Sequence, residues 1–169
     1  MLAAVGLSKS AEALTRAGAL ADSAAAVEYY QVTCSDDGGG APSSLALQVT
    51  AAAPTAGLLV SVQTQKGDLA GNTTDPTGGD SSPSSVLALN GGAGVYDVFV
   101  DKSGPGADGY TLTAQCKTGA DGAGADTGTA LTPITTSAPP LPALPDAVAK
   151  GLVAALCVMS ALRARKGQP

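Results

Sequence analysis

Histidine is absent from this chain of 169 residues, and so is tryptophan. Without histidine there is no Ser/His/Asp or Cys/His nucleophilic site, no HExxH metalloprotease site, and none of the commonest transition-metal ligand. Aromatic residues make up 3% of the chain, one Phe and four Tyr. A core of Val, Leu and Ala with so few rings is thin, and a domain built on it gains from a covalent cross-link. Bases are scarce as well: nine Lys and Arg stand against fourteen Asp and Glu, a net charge of −5. Three of the nine, Arg163, Arg165 and Lys166, fall in the last seven residues, and between Arg16 and Lys117 the only others are Lys66 and Lys102. No basic stripe is left to neutralise phosphates, which excludes nucleic acid as a partner.

Turn-forming residues, by contrast, are plentiful. The 22 Gly and 11 Pro, with many Ser and Thr, favour numerous turns over long helices. From Val27 onward six segments read as strands: VEYYQVTC (27–34), SLALQVTA (44–51), GLLVSVQTQ (57–65), SVLAL (85–89), GVYDVFVDK (94–102) and GYTLTAQC (109–116). Alternation assigns one apolar face to most of them: Tyr30, Val32 and Cys34; Leu45, Leu47 and Val49; Leu58, Val60 and Val62; Tyr96, Val98 and Val100; Tyr110, Leu112, Ala114 and Cys116. Strands with one apolar face and no intervening helix predict an all-β fold, an antiparallel β-sandwich of jelly-roll or immunoglobulin-like type. Cys34 and Cys116 close the first and last of these strands on the inward parity, so a disulfide between them is expected, with export to an oxidising compartment.

The flanks differ in texture. Residues 1–26 carry a short apolar run, Leu2 to Leu7, and a small-x-small site at Ala11-Glu12-Ala13, as in a secretion signal shortened by a start codon placed too far downstream. The alternative is an Ala-rich helix from Ser10 to Ala26. Residues 27–118 form the sandwich domain, and residues 119–145 read as a Gly/Thr/Pro-rich linker. Residues 146–169 predict a hydrophobic helix with a basic end. Its uncharged run from Gly151 to Leu162 is twelve residues, short of the roughly 20 that span a bilayer, though Lys150 would lengthen it by snorkelling. Arg163, Arg165 and Lys166 after it predict a cytoplasmic C-terminus and an outward-facing domain. Cys157 within it reads as a small apolar filler.

Two resemblances follow from these segments. LPALPDAVAKGLVAALCVMSALRARK resembles the tripartite bacterial C-terminal sorting tails recognised by exosortase- or rhombosortase-type enzymes: a short Pro-containing motif, an apolar helix and a basic end. Its motif, Leu141-Pro142-Ala143-Leu144-Pro145, departs from the usual PEP form. The resemblance implies a sorting protease as partner and a tail exchanged for a surface attachment. A plain membrane anchor or a soluble C-terminal helix are the alternatives. NGGAGVYDVFVDKSGPGADGYTLTAQC is similar to the closing hairpin of bacterial pre-peptidase C-terminal domains, which implies a secreted β-sandwich accessory module.

Motifs with chemical meaning reduce to turns. Gly104-Pro105-Gly106-Ala107-Asp108-Gly109 fits G-x-G-x-x-G, but a strand follows it where a dinucleotide site needs a helix. Gly91-Gly92-Ala93-Gly94 begins like a calcium β-roll repeat, yet Tyr96 stands where Asp is required and nothing repeats. Asp97 and Asp101, with Phe99 between them, share a strand face about 13 Å apart, too far for a glycosidase pair, and read as solvating charges. Asn72-Thr73-Thr74 fits a glycosylation sequon, which carries little meaning in a bacterial chain. If any ion is bound it is calcium, because Asp36, Asp37, Asp75, Asp80, Asp121 and Asp126 all lie in Gly-rich loops rich in hard oxygen. No other cofactor is expected, and no residue set supports catalysis. The expected function is a non-catalytic module at the cell envelope or surface, acting in binding, adhesion or structure. The alternative is a soluble secreted accessory domain stabilised by calcium. Its location would be the periplasm, the cell surface or the medium, with the tail in the inner membrane.

Overall fold

The computed structural model describes residues 13–52 and 57–134, all within one compact unit. They form nine strands: β1 Leu14–Leu20, β2 Glu28–Ser35, β3 Ser44–Ala51, β4 Val60–Lys66, β5 Leu69–Thr74, β6 Leu87–Leu89, β7 Gly94–Lys102, β8 Asp108–Lys117 and β9 Asp126–Pro133, with one 3-10 turn at Ala120–Gly122. The strands pair antiparallel in the order β5-β4-β7-β2-β9-β8-β3-β6, and β1 adds to β8. The two ends of this order approach each other. Gly71 of β5 lies so close to Leu87 of β6 that a Cβ there would sit 2.8 Å from its Cδ1, and Thr73 Oγ1 donates to Ser85 O at 3.0 Å. The sheet is therefore nearly closed around its core.

Alternation places the core as expected. Tyr30, Val32 and Cys34, Leu45, Leu47 and Val49, Leu58, Val60 and Val62, Tyr96, Val98 and Val100, and Tyr110, Leu112, Ala114 and Cys116 are all buried. Three of the four tyrosines fill the largest core positions, and their hydroxyls are satisfied. Tyr30 and Tyr110 meet at 2.5 Å and share Glu28 Oε2 at 2.5 and 2.6 Å. Tyr96 donates to Gly92 O at 2.7 Å.

Three strands differ from the sequence expectation. The part of the N-terminal segment that is described, read as signal remnant or Ala-rich helix, holds β1, paired with β8 from Leu14↔Ala114 to Leu20↔Asp108. β8 offers a free edge of N–H and C=O groups there, and pairing that edge outweighs the helix propensity of alanine. Gly18 permits it: a Cβ would stand 2.3 Å from Tyr110 Cζ. Leu20, 2% exposed, anchors the strand's end. The linker reading is likewise overtaken by β9. Its first two inward residues are threonines whose hydroxyls are bonded, Thr127 to Gly40 O at 2.7 Å and Thr129 to Thr127 O at 3.0 Å. Leu131 alone on that side adds an apolar side chain against the core, so the strand's apolar signature is weak. β5 follows a two-residue turn, Gly67-Asp68, with Gly67 at φ 57°, the Gly-first arrangement of a tight hairpin. Among the described residues no helix is long and apolar enough to cross a membrane. The C-terminal hydrophobic helix, with Arg163, Arg165 and Lys166, lies outside the described residues.

Candidate functional site

β2, β7 and β4 are interior strands, and their outward residues form a grid. One row runs Asn72–Gln63–Phe99–Tyr29 across β5, β4, β7 and β2; the next runs Gln65–Asp97–Gln31–Thr132; a third runs Thr74–Ser61–Asp101. Residues directly opposite in antiparallel register stand within contact distance of each other. The chain's single Phe and its fourth Tyr meet here: the Tyr29 and Phe99 rings stack with centroids 4.9 Å apart and planes at 11°. Tyr29 donates its hydroxyl to Asp97 Oδ1, and Gln31 Nε2 donates to the same oxygen at 3.3 Å and to Tyr29 Oη at 3.1 Å. The Asp97 bond raises the Tyr29 pKa above the ordinary phenol value, so the ring stays neutral. Gln63 Nε2 donates to Asp101 Oδ2 at 2.7 Å. Asp97 and Asp101 thus bracket Phe99 on one face, where alternation put them, each tied to an amide.

The sequence places Phe99 between Asp97 and Asp101 on an exposed face, but its partner Tyr29 was not singled out. The signal was present: Tyr29 has the same parity as Gln31 and Thr33, and Phe99 the same as Asp97 and Asp101. In a chain with five aromatic residues, two on the solvent side of neighbouring strands is a departure from core chemistry.

The other sequence candidates fall in separate places. Cys34 and Cys116 are disulfide-bonded, with Cα atoms 5.5 Å apart, and both side chains are buried. Cys34 pairs with Thr129 and Cys116 with Thr127, so the bridge joins β2 to β8 behind β9. Of the six aspartates, Asp36, Asp37, Asp75 and Asp80 bond nearby turn N–H groups, and Asp121 and Asp126 bond other side chains. Asp36 Oδ1 accepts from Gly38 and Gly40 N at 2.8 and 3.2 Å, and Asp37 Oδ1 from Gly39 N at 3.1 Å. Asp75, fully buried, accepts from Ala51 N at 2.7 Å and Thr77 N at 3.1 Å. Asp80 accepts from Thr77 Oγ1 at 2.7 Å and Ser82 N at 2.8 Å, and the Thr77 bond foremost lowers its pKa. Asp121 accepts from Asn90 Nδ2 at 2.8 Å, and Asp126 pairs with Lys117 at 2.5 Å. Among the described residues no three of His, Cys, Asp and Glu form a group able to hold a metal ion.

The lysines are similarly engaged. Lys66 Nζ donates to the carbonyls of Gly91, Gly92 and Ala93 and lies 4.5 Å from the Tyr96 ring centroid. The Gly91–Gly94 loop, which only begins like a calcium repeat, therefore cradles an ammonium. Lys102 donates to the carbonyls of Ala21 and Gly106. Across the molecule, β3 and β8 carry a shallow groove of about 220 Å³ lined by Ala46, Gln48, Val86, Gln115, Lys117 and Gly122. It is smaller than the roughly 300 Å³ at which small-molecule sites begin. Compared with known proteins, the chain matches no family model, no curated protein and no solved structure.

Proposed function

We propose that this chain is a non-catalytic, exported bacterial β-sandwich module, displayed at the cell envelope or surface and acting in binding or adhesion. The buried Cys34–Cys116 disulfide is the observation that carries the reading, because such bonds form and persist outside a reducing cytosol. Supporting it are the absence of histidine and the ring-and-amide face of β2, β4 and β7, which is built for contact and holds no nucleophile–base pair. On this reading the tail containing Arg163, Arg165 and Lys166 is a sorting signal or anchor, and a sorting protease is the partner that processes it. Because the uncharged run of twelve residues is short for a bilayer, a secreted domain with an uncut tail is the second reading.

Fractionation of the native host with intact-mass measurement under non-reducing conditions tests both. Recovery with the envelope, with the mass of the oxidised Cys34–Cys116 pair, is expected. Recovery in the cytosol with free thiols would overturn the export reading. Recovery wholly in the medium with residues 146–169 intact would replace display by secretion.

A further inference from the structure

The outward face of β2, β4 and β7 has a charge pattern that selects its ligand. Its only charged groups are Asp97 and Asp101. Bases to balance them are not at hand: residues 13–134 hold four bases against twelve acids, a net −8. Three of those bases are engaged internally, Lys66 and Lys102 on backbone carbonyls and Lys117 on Asp126. An anionic polymer is repelled from such a face. A neutral one would strip water from Asp97 and Asp101 and give no counter-charge in return, an uncompensated cost. Asp97 Oδ2 and Asp101 Oδ1 accept no hydrogen bond from the described residues, so each has an oxygen ready for a cation.

The rest of the face narrows the class further. β2, β4 and β7 are each paired on both sides, so no backbone edge is open to extend a peptide by strand addition. Contact must come from side chains. Gln31, Gln63, Gln65 and Asn72 carry amides that both donate and accept, as sugar hydroxyls do, and the Tyr29–Phe99 pair supplies apolar surface for pyranose C–H groups. The pair is held by its own stacking and by the Tyr29–Asp97 bond, so little side-chain freedom is lost on binding. We infer that this face binds a polysaccharide bearing free amines, such as β-linked polyglucosamine, with Asp97 and Asp101 taking the ammonium groups and Phe99 and Tyr29 the sugar faces. This inference rests on the binding-module reading above and names its ligand.

The test uses the full oxidised chain and isothermal titration with a fully deacetylated glucosamine hexasaccharide. The N-acetylated hexasaccharide and hexalysine serve as comparison ligands. The deacetylated sugar should bind, weakening with added salt and as the medium passes from mildly acidic to mildly alkaline and the amines lose their protons. The acetylated sugar should bind at least about tenfold more weakly, since the charge-assisted contacts to Asp97 and Asp101 are both lost. Phe99→Ala should weaken the deacetylated sugar by about tenfold. Asp101→Asn and Gln65→Ala, which leave the ring pair in place, keep the test decisive should Phe99→Ala fail to fold; each should weaken binding severalfold with an unchanged melting curve. No binding of the deacetylated sugar overturns the inference. Equal binding of hexalysine, or indifference to all three substitutions, reduces it to general attraction between opposite charges and overturns it also. None of these results touches the export reading, which stands or falls on fractionation.

Discussion

Removing the Cys34–Cys116 bridge should cost this domain a large share of its stability. The bridged residues are 82 apart in sequence, and the chain-entropy relation gives about 4.5 kcal/mol for a loop of that length at room temperature. A domain of this size has roughly 6–18 kcal/mol in total. The bridge also sits at a particular weakness. β9 is held to β2 by six register pairs but to β8 by two, Cys116↔Thr127 and Lys117↔Asp126. Beyond them β9 leaves β8, and Cys116 N is satisfied by the Thr129 hydroxyl at 2.9 Å in place of a backbone acceptor. The bridge therefore spans a corner where β8 and β9 are joined by little else.

The assay is urea unfolding of Cys34→Ala/Cys116→Ala against its parent, both carrying Cys157→Ser so that no spare thiol intervenes. A loss of about 4 kcal/mol is expected, together with a larger denaturant slope as the unfolded chain expands. Melting should fall by on the order of 15 °C. Amide exchange should accelerate first in residues 126–133, since that strand loses its backing. A loss below about 1 kcal/mol would refute the reasoning, because the loop-closure contribution cannot be that small. Exchange that rises uniformly while β9 stays protected would refute the claim that the corner is the weak point.

Three further outcomes follow from the same contacts. Gly18→Ala places a methyl 2.3 Å from Tyr110 Cζ and should destabilise by about 1–3 kcal/mol; in a double-mutant cycle Tyr110→Leu should return about 1 kcal/mol or more of that, and zero coupling would exclude the steric account. Above pH 10 the domain should lose stability, because burial raises the phenol pKa values of Tyr30, Tyr96 and Tyr110 above the ordinary 10.0. The unfolded chain then releases protons that the folded one retains, so stability is complete below pH 10 and falls by up to about 1.4 kcal/mol per pH unit for each tyrosine above it; a flat urea midpoint from neutral to strongly alkaline pH would contradict this. Asp75→Ala, which removes the acceptor for Ala51 N and Thr77 N, should cost about 1–3 kcal/mol equally in calcium and in EDTA; a loss seen only with calcium present would make Asp75 a metal ligand.

How much of this was legible depended on where the apolar residues fell. Tyr96, Val98 and Val100 alternate with Val95, Asp97, Phe99 and Asp101, so both the strand and its inner face could be read directly. β9 could not, because Thr127 and Thr129 occupy positions where an apolar residue is the usual sign and satisfy their hydroxyls internally instead. β1 was hidden for another reason. Its alanines suit a helix, and the partner that makes it a strand, β8, lies about ninety residues away and leaves no local trace. The disulfide pair was legible from parity alone, since Cys34 and Cys116 both continue buried rows. The aspartates were legible as turn residues, but their carboxylates could not be assigned to separate corners without the pairing of the strands. The open aromatic pair was missed although its parity was visible, because only the pairing of β2 with β7 brings Tyr29 and Phe99 together.

The chemistry inside this domain also explains the charge it presents outside. With three rings available for the core, loop ends that would otherwise be pinned by apolar packing are held by ammonium groups. Lys66 gathers the Gly91–Ala93 carbonyls beneath the Tyr96 ring. Lys102 ties the turn after β1 to the turn before β8 through Ala21 and Gly106, and Lys117 ties β8 to β9 through Asp126. Each such contact satisfies carbonyls or a carboxylate at a strand end, which a methyl group cannot do. It also withdraws a positive charge from the surface. Asp36, Asp37, Asp80 and Asp121 are held by neutral N–H, hydroxyl or amide donors and so keep their charge unbalanced, and a strongly acidic exterior follows from how a ring-poor core is closed. On the binding reading proposed above, a ligand has to suit that field before any individual contact can contribute.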